Sequence, residues 1–356
     1  MKIGIITAYD SSNYGAFLQG YATQIFLKDL GHDVYFIKWR SDEKRKRLFM
    51  GESRSIKSLL RYVLNYSHNK EKYRCMTNDV EKLNIIPVEA IEQQKLDAVV
   101  IGSDELWNIN IMNFQNCYFY GVGLPANLCK LVYAVSLGGA KTEDFMKFPS
   151  FIEGMKKLKI VGVRDINTQK VTEDLVGIKP SIVCDPTCLI TPDNFDIPSE
   201  RVIKEDYLLV YTYGVDKSLQ KYLIRFAKEK KLKLVAVCMR QRWCDININS
   251  TPLQFYNIIR YASYVFTTTF HGSIFTLMQH KKCAVYARSE KVKDLLKWMC
   301  MEDIKVELSY TYKEFCDILE KEHDYSGYEK AVNTRREQSI ALFKSELKEV
   351  KDGSDL

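Results

Sequence analysis

The residue types best suited to chemistry stand together in one loop, Thr267-Thr268-Thr269-Phe270-His271-Gly272-Ser273. The threonines close a strand-like run, and the histidine, glycine and serine open a helix-like one. A helix start offers free N–H groups and partial positive charge, and a histidine there can donate to a phosphate oxygen or transfer a proton. We therefore predict that Thr269, His271, Gly272 and Ser273 bind an anion, and that His271 is a candidate catalytic residue. A purely structural histidine is the alternative.

The charge pattern around this loop favours an anion. No Asp or Glu occurs from Ile246 to Ser289, whereas that span holds several basic residues, among them Arg288. The local field should therefore attract a compact anion, and we include Arg288 among the anion-binding residues. The span also lacks the carboxylate with which a nucleotide-sugar enzyme would hold a ribose.

Two more predicted strands end in charged residues. Arg164 follows one of them, and an arginine in that place suits bidentate binding of a carboxylate or phosphate. An ion pair with Asp165 or another acid is the alternative. Asp185 precedes Pro186, a pattern typical of a turn, and we expect it to have a structural role near the cleft.

The segment Gly102-Ser103-Asp104-Glu105-Leu106-Trp107-Asn108 follows a buried strand. Asp104 can orient a hydroxyl or act as a base. Trp107 can stack on a sugar or fill the domain interface, and the spacing does not decide between these two roles.

The first predicted strand leads into Asp10-Ser11-Ser12-Asn13-Tyr14-Gly15. Asn13 is the expected N-cap of a helix, and a ligand anion or sugar hydroxyl can bind at such a helix start. Gly15 lies just inside the helix, where glycine is unfavourable, so we expect a ligand or another backbone to approach it closely. The segment is not a Gly-x-Gly-x-x-Gly fingerprint.

Short apolar strands alternate with helices along most of the chain, which predicts parallel sheets covered on both faces. We predict an α/β protein with two Rossmann-like doubly wound domains, residues 1–195 and 196–327, and a helix at 328–350 packed back on the first domain. The predicted elements are strands 2–8, 33–38, 97–101, 131–136, 160–163, 181–184, 207–211, 233–238, 264–268 and 283–287, and helices 14–30 and 253–262.

Composition agrees with a folded protein of two domains. The chain has 356 residues, 46% hydrophobic and 27% charged, which excludes a disordered, fibrous or small disulfide-rich protein. No apolar run is long enough for a membrane helix, and we expect a cytoplasmic protein. The ten cysteines form no Cys-x-x-Cys pair and no cluster with histidines, so we predict no metal site.

The positive charge is concentrated in one segment. The net charge is +7, and residues 40–74 contain 11 basic and 4 acidic residues, so nucleic acid is not the expected partner. Within residues 54–66, an apolar stripe lies beside basic side chains. This stripe predicts either peripheral contact with an anionic membrane or a helix packed on the first domain. Its apolar members are Ile56, Leu59, Leu60, Val63 and Leu64.

Taken together, these motifs resemble the polysaccharide pyruvyl transferase family, in family order over about residues 1–290. The matching segments are Asn13-Tyr14-Gly15-Ala16-Phe17-Leu18-Gln19, Gly102-Ser103-Asp104 with Trp107-Asn108, Tyr133-Ala134-Val135-Ser136, Val163-Arg164-Asp165, Asp185-Pro186 and Phe270-His271-Gly272. Thr269 stands where a serine often precedes the Phe-His-Gly motif.

The resemblance implies a GT-B-like fold with a cleft between two domains. It implies phosphoenolpyruvate as co-substrate, no cofactor, and transfer of its pyruvyl group to two hydroxyls of a surface-glycan sugar, with release of phosphate. The acceptor is expected to be lipid-linked. Arg164 and His271 would lie at the donor, and Asp104 is the candidate base. The expected acceptor contacts are Asn13, Tyr14, Gly15, Gln19, Ser103, Asp104 and Trp107. A nucleotide-sugar glycosyltransferase or a non-catalytic glycan-assembly protein are the alternatives.

Overall fold

Two parallel β-sheets organise the chain in the computed structural model, which describes residues 1–50, 56–195 and 197–354. The first sheet has the strand order β3-β2-β1-β4-β5-β6. Its strands are β1 (Lys2–Ile6), β2 (Asp33–Lys38), β3 (Ile85–Pro87), β4 (Ala98–Ile101), β5 (Cys129–Val135) and β6 (Lys159–Val163). We call this sheet and its covering helices the first lobe.

The second sheet has the order β11-β10-β7-β8-β9, and all of its strand pairs are parallel. Its strands are β7 (Tyr207–Tyr211), β8 (Lys233–Val237), β9 (Ile246–Ile248), β10 (Tyr264–Thr267) and β11 (Cys283–Val285). This sheet and its helices form the second lobe. The predicted α/β class with two doubly wound units is confirmed.

Helices cover both sheets. They are α1 (Tyr14–Asp29), α2 (Asp42–Met50), α3 (Ile56–Val80), α4 (Thr142–Phe145), α5 (Pro149–Met155), α6 (Ile166–Val176), α7 (Lys217–Glu229), α8 (Pro252–Tyr261), α9 (Phe270–Met278), α10 (Glu290–Trp298), α11 (Tyr312–Glu320) and α12 (Ser326–Ser354). Because helices lie on both faces, the central strands are apolar on both sides; β4 and β7 are buried at every residue.

The strand orders fix where a ligand can bind. In a doubly wound sheet, the crevice lies at the carboxyl ends of the strands where the order reverses. In the first lobe that point lies between β1 and β4, and in the second between β7 and β10. The loops after these four strands are therefore the ones that meet between the lobes.

Side-chain caps set the starts of the helices at this crevice. Asn13 caps α1 through its side chain, which accepts from the Gly15 N–H at 2.9 Å. Thr269 caps α9 in the same way. The predicted cap Thr251 with Pro252 at the first helical position also occurs, at the start of α8. Local sequence therefore defines these helix starts.

The last helix crosses from the second lobe to the first. Near its start, the Tyr328 ring packs edge-on against the His280 ring of the second lobe. Further along, the Phe343 ring stacks on Tyr133 of β5 at 4.6 Å, and the Ser339 hydroxyl accepts from the Cys184 N–H at 3.0 Å. Helix α12 thus covers one face of the first sheet.

Three short elements differ from the prediction. Residues 181–184 do not form a strand; Ile182 makes only an isolated bridge with Val163. The strands β3 and β9 were not predicted. Each has three residues and lies at the edge of its sheet, so neither carries the apolar run of a buried strand.

The basic segment contacts the second lobe through α3. Arg240 donates to the Leu64 carbonyl at 2.8 Å, and the His68 ring lies 3.4 Å from the Cys238 carbonyl. Val63 and Leu64 are exposed. Of the predicted membrane-contact segment 54–66, residues 54–55 and the side chains of residues 56–62 lie outside what the structure describes. None of the described helices is long and apolar enough to cross a bilayer.

Candidate functional site

A cavity of about 240 Å³ lies between the lobes at the two strand-order reversals. We call it the interlobe cavity. It is lined by Asn13, Asp104 and Arg164 from the first lobe and by Tyr213, Gly214, Thr268, Thr269, Phe270, His271, Arg288, Ser289 and Lys291 from the second. Both lobes therefore contribute polar side chains to one space.

A buried carboxylate joins the two predicted catalytic groups. Arg164 Nη1 donates to Asp185 Oδ2 at 3.0 Å, and His271 Nε2 lies 3.4 Å from the same oxygen, without the alignment of a hydrogen bond. The other oxygen, Oδ1, accepts from the Thr187 hydroxyl at 2.8 Å and the Thr187 N–H at 3.1 Å. The predicted turn at Asp185 exists, and its side chain also holds the arginine and the histidine side by side.

The neighbouring groups shift the pKa values of Asp185 and Arg164. Burial alone would raise the pKa of Asp185, but His271, Arg164 and the Thr187 hydroxyl outweigh it and hold that pKa well below its ordinary range. Burial alone would lower the pKa of Arg164, but Asp185 and Asp104 outweigh it and raise that pKa. Asp185 and Arg164 therefore both stay charged at neutral pH.

Position 15 has no room for a side chain, because His271 packs against Gly15. A Cβ at Gly15 would lie 2.4 Å from Cβ, Cγ and Nδ1 of His271. The expected close approach at Gly15 therefore comes from a side chain of the other lobe. The Cα of Gly15 fixes one side of the imidazole, and Asp185 fixes the other.

The start of α9 is arranged differently from the prediction. The Gly272 N–H donates to the Thr269 hydroxyl at 3.0 Å, and the Ser273 N–H and hydroxyl both donate to the Thr269 carbonyl. Gly272 is small because a Cβ there would meet Thr267, Thr269 and Tyr211. Both N–H groups therefore bond within the start of the helix, and Ser273 is fully buried. Within the described residues, the N–H groups of Phe270 and His271 have no acceptor.

Asp104 lies at the cavity wall. Its Oδ1 is 3.6 Å from Arg164 Nη2, an ion-pair distance longer than a hydrogen bond. The same oxygen accepts from the Glu105 N–H. Because Asp104 lines the cavity from the first lobe and Asp185 pairs with Arg164, first-lobe carboxylates offset part of the positive charge expected from the acid-free span.

An ion pair that sequence reasoning missed joins the two lobes beside the cavity. The Lys291 ammonium of α10 pairs with the Glu105 carboxylate of the first lobe. Burial alone would raise the pKa of Glu105, but Lys291 and the Asn108 amide outweigh it and lower that pKa. Arg288 lines the same wall and is exposed. No local pattern marks Lys291, because its partner is 186 residues away.

Two aromatic residues expected at the acceptor are in the core. Trp107 is fully buried, and its Nε1 donates to the Phe119 carbonyl at 2.7 Å. Tyr14 is fully buried, and its hydroxyl accepts from the Ser250 N–H at 2.9 Å. Neither side chain can contact a sugar, and the prediction that they do is wrong for this structure.

Gln19 and Ser103 are also fully buried and hold the loop after β4. The Gln19 amide donates to the Thr7 hydroxyl and accepts from the Ser103 N–H. The Ser103 hydroxyl lies 3.2 Å from Asp185 Oδ2. We therefore describe them as positioning residues rather than as acceptor contacts.

An exposed aromatic residue, Tyr213, lines the interlobe cavity, unlike the buried Trp107 and Tyr14. Tyr213 follows β7, 68% of its surface is exposed, and its hydroxyl accepts from the Asn13 amide at 2.8 Å. Asn13 also accepts from the Tyr211 hydroxyl at 3.0 Å. The sequence analysis did not identify Tyr213. Its position just after a central strand is the one sequence feature that could have made it a candidate.

Comparison with known proteins agrees with this architecture. A family model described as polysaccharide pyruvyl transferase matches residues 13–290. No curated protein matches significantly. Among solved structures, S. aureus MnaA in a co-structure with UDP aligns over 98% of this chain and 97% of its own, with 11% identity and a TM-score of 0.53.

An alpha-glucosyltransferase (AGT) in complex with UDP aligns over 99% of this chain and 100% of its own, with 9% identity and a TM-score of 0.51. At such identities the likeness concerns the fold alone. It is the GT-B fold, in which two Rossmann-like domains face a cleft.

Proposed function

Because the chain belongs to the polysaccharide pyruvyl transferase family, we propose that it transfers the pyruvyl group of phosphoenolpyruvate to two hydroxyls of a glycan sugar. The observation that carries the proposal is the meeting of Arg164 and His271 on one oxygen of Asp185 at the wall of the interlobe cavity. A small dianionic donor suits a cavity of about 240 Å³ that carries guanidinium, imidazole and ammonium groups.

Arg164 would bind one anionic group of the donor. Its Nη1 is held by Asp185, whereas Nη2 lies 3.6 Å from Asp104 and keeps an N–H for a ligand. The Phe270 ring supports the guanidinium, whose Cζ lies 4.4 Å from the ring centroid. The unpaired N–H groups of Phe270 and His271 at the start of α9 would bind the phosphate, in place of those of Gly272 and Ser273.

His271 would act as general acid. One sugar hydroxyl oxygen bonds to C2 of the enol while a proton is added at C3, which becomes the methyl group. The second hydroxyl oxygen then bonds to C2 as the bond from C2 to the phosphate oxygen breaks. Both hydroxyl protons are released: one replaces the proton consumed at C3, and the other leaves with phosphate or water. Asp104, at the first-lobe wall, would accept a hydroxyl proton.

The test is incubation of the purified protein with phosphoenolpyruvate and a panel of hexosides and lipid-linked sugars. Mass spectrometry measures pyruvate addition, and phosphate release gives the rate. His271→Ala should lower turnover by at least about 10²-fold, the usual contribution of a general acid. His280→Ala is the matched control, because His280 is half exposed just after the same helix. Equal turnover of the two variants would contradict the assignment of His271.

A nucleotide-sugar glycosyltransferase is the second candidate, because the two structural neighbours were solved with UDP. Thermal shift with phosphoenolpyruvate and with UDP-sugars distinguishes the two donors. A glycan-assembly protein without catalysis is the third, and it predicts that replacing Arg164 and His271 has no effect on function.

We also propose that the protein works in the cytoplasm on a lipid-linked acceptor, at the inner face of the membrane. The exposed Val63 and Leu64 on the basic helix α3 support this proposal. Co-sedimentation with vesicles containing anionic lipid, compared between the wild type and Val63→Ser with Leu64→Ser, tests it.

A further inference from the structure

A second cavity, of about 370 Å³, adjoins the interlobe cavity. The two cavities share Arg164, Phe270 and Lys291. The remaining lining residues come from the first lobe, from α10 and from α12: Asp165, Ile166, Ile182, Asp294, Leu295, Lys297, Trp298 and Arg335. We call this space the Trp298 cavity.

The lining of the Trp298 cavity is partly apolar. It includes the half-buried indole of Trp298 and the side chains of Leu295, Ile166 and Ile182. The Arg335 guanidinium stacks over the indole, with Cζ 4.3 Å from the ring centroid. Aromatic and aliphatic walls of this kind suit the C–H face of a pyranose ring.

Three charged side chains line the Trp298 cavity without an ion-pair partner among the described residues, and one of them, Arg335, stacks on the Trp298 indole. Within the described part of the chain, the side chains of Asp294, Lys297 and Arg335 form no hydrogen bond or ion pair with other residues. A carboxylate accepts hydrogen bonds, and ammonium and guanidinium groups donate them. Sugar hydroxyls do both, so a pyranose can satisfy all three groups.

Size and continuity point to the same occupant. At about 240 Å³, the interlobe cavity is smaller than the ~300–1,000 Å³ of pockets for drug-sized ligands. It suits the donor and the reacting edge of one sugar, so the rest of a glycan must extend beyond it. The side chains of Tyr14, Gln19, Ser103 and Trp107, which the sequence suggested as acceptor contacts, are fully buried and do not line the interlobe cavity.

We propose that the Trp298 cavity binds the sugar ring next to the one that is modified, so that the acceptor is at least a disaccharide. This inference rests on the proposed function and specifies its acceptor class. Trp298 forms the platform for the second ring, and Asp294, Lys297 and Arg335 bind its hydroxyls. The shared residues Arg164, Phe270 and Lys291 mark the passage between the two rings.

The experiment compares acceptors that share a terminal sugar. The pairs are methyl β-galactoside with methyl β-lactoside, and methyl β-glucoside with methyl β-cellobioside. Transfer kinetics give kcat/KM, and saturation-transfer-difference NMR gives binding without chemistry. In the wild type, one of the disaccharides should exceed its monosaccharide at least about tenfold in kcat/KM, the effect of a well-packed tryptophan contact.

Trp298→Ala and Asp294→Asn should remove this preference and leave KM for phosphoenolpyruvate unchanged. Lys293→Gln is the matched control, since Lys293 lies on the same helix, is exposed, and pairs with Glu290 at 2.8 Å. It should keep the preference. Thermal unfolding of each variant verifies that the fold is retained.

The outcomes separate this inference from the proposed function. Transfer without a disaccharide preference, or a preference that Trp298→Ala retains, refutes the Trp298 cavity as a sugar subsite and leaves the function standing. Binding of a disaccharide that Trp298→Ala weakens, without any transfer, refutes the function and supports the subsite. Octyl β-glucoside is added to the binding series as a probe with a lipid-like chain. If Trp298→Ala weakened only its binding, the cavity would bind a lipid chain and the inference would be refuted, as it would if neither disaccharide bound to the wild type.

Discussion

Replacing Gly15 by alanine tests whether the first lobe sets the position of His271. The new Cβ would lie 2.4 Å from three atoms of His271, including its own Cβ. Because ordinary contact begins near 3.4 Å, the histidine has to retreat by about 1 Å, and a displacement of that size costs about 10²-fold in rate. Movement toward Asp185 relieves only part of this overlap, since the carboxylate lies 3.4 Å from Nε2 and a hydrogen bond closes to no less than about 2.7 Å.

The effect on stability should be somewhat smaller than the effect on rate, because a 10²-fold loss of rate corresponds to about 2.7 kcal/mol. Overpacking costs about 1–3 kcal/mol, while alanine in place of glycine within a helix gains about 0.8–1 kcal/mol. Gly15→Ala should therefore lose at most about 2 kcal/mol of unfolding free energy and about 10² in kcat/KM. Urea unfolding and phosphate-release kinetics measure the two quantities on the same preparation.

Gly327→Ala is the matched control. Gly327 also lies in a helix, but its Cβ would have only one neighbour, Cys300 Cβ at 3.5 Å. It should be neutral or slightly stabilising, with kcat/KM unchanged. If Gly15→Ala kept wild-type kcat/KM, or if its loss of rate followed from global unfolding alone, the contact with Gly15 would not position His271.

Other predictions concern the buried charges and the buried tryptophan. Asp185→Asn leaves Arg164 and His271 without their shared counter-charge and should lose about 3–5 kcal/mol in urea unfolding, whereas the exposed Asp317→Asn should stay within about 0.5 kcal/mol. Because the pKa of Asp185 is depressed on folding, its stabilisation is present above its unfolded pKa of about 3.9 and is lost as the pH falls below that value. The difference in unfolding free energy between the wild type and Asp185→Asn should therefore narrow in acid below about pH 4. Trp107→Phe should lose about 1–3 kcal/mol, because a buried carbonyl loses its donor, with the acceptor KM unchanged; a raised KM at unchanged stability would return Trp107 to the acceptor.

The sequence predicts the central strands well because they are buried on both faces. Strands β2 and β7 begin and end at the predicted residues. Edge strands such as β9 are short and only half buried, so the same pattern does not reveal them. Residues 181–184 have the apolar composition of a strand, but only one of them pairs with β6.

Within the site, the role of a residue is predictable when its neighbours in the sequence determine that role. It is not predictable when a contact with the other lobe determines it. Asn13 and Thr269 cap helices in ways that their neighbours in the sequence already indicate. The reason for Gly15 is His271, 256 positions away, and no local pattern connects them. The sequence does not show whether an aromatic residue after a strand is buried, as Trp107 is, or exposed, as Tyr213 is.

The crossing of α12 has a consequence for biosynthesis. Synthesis of strands β5 and β6 is complete at residue 163. Phe343, which covers Tyr133, is synthesised 180 residues later. At roughly 5–20 residues per second, that face of the sheet waits about 10–40 seconds for its cover. The amino-terminal half therefore cannot reach its final packing during synthesis, and a nascent chain halted before residue 326 should bind a chaperone or a hydrophobic dye that the released protein does not.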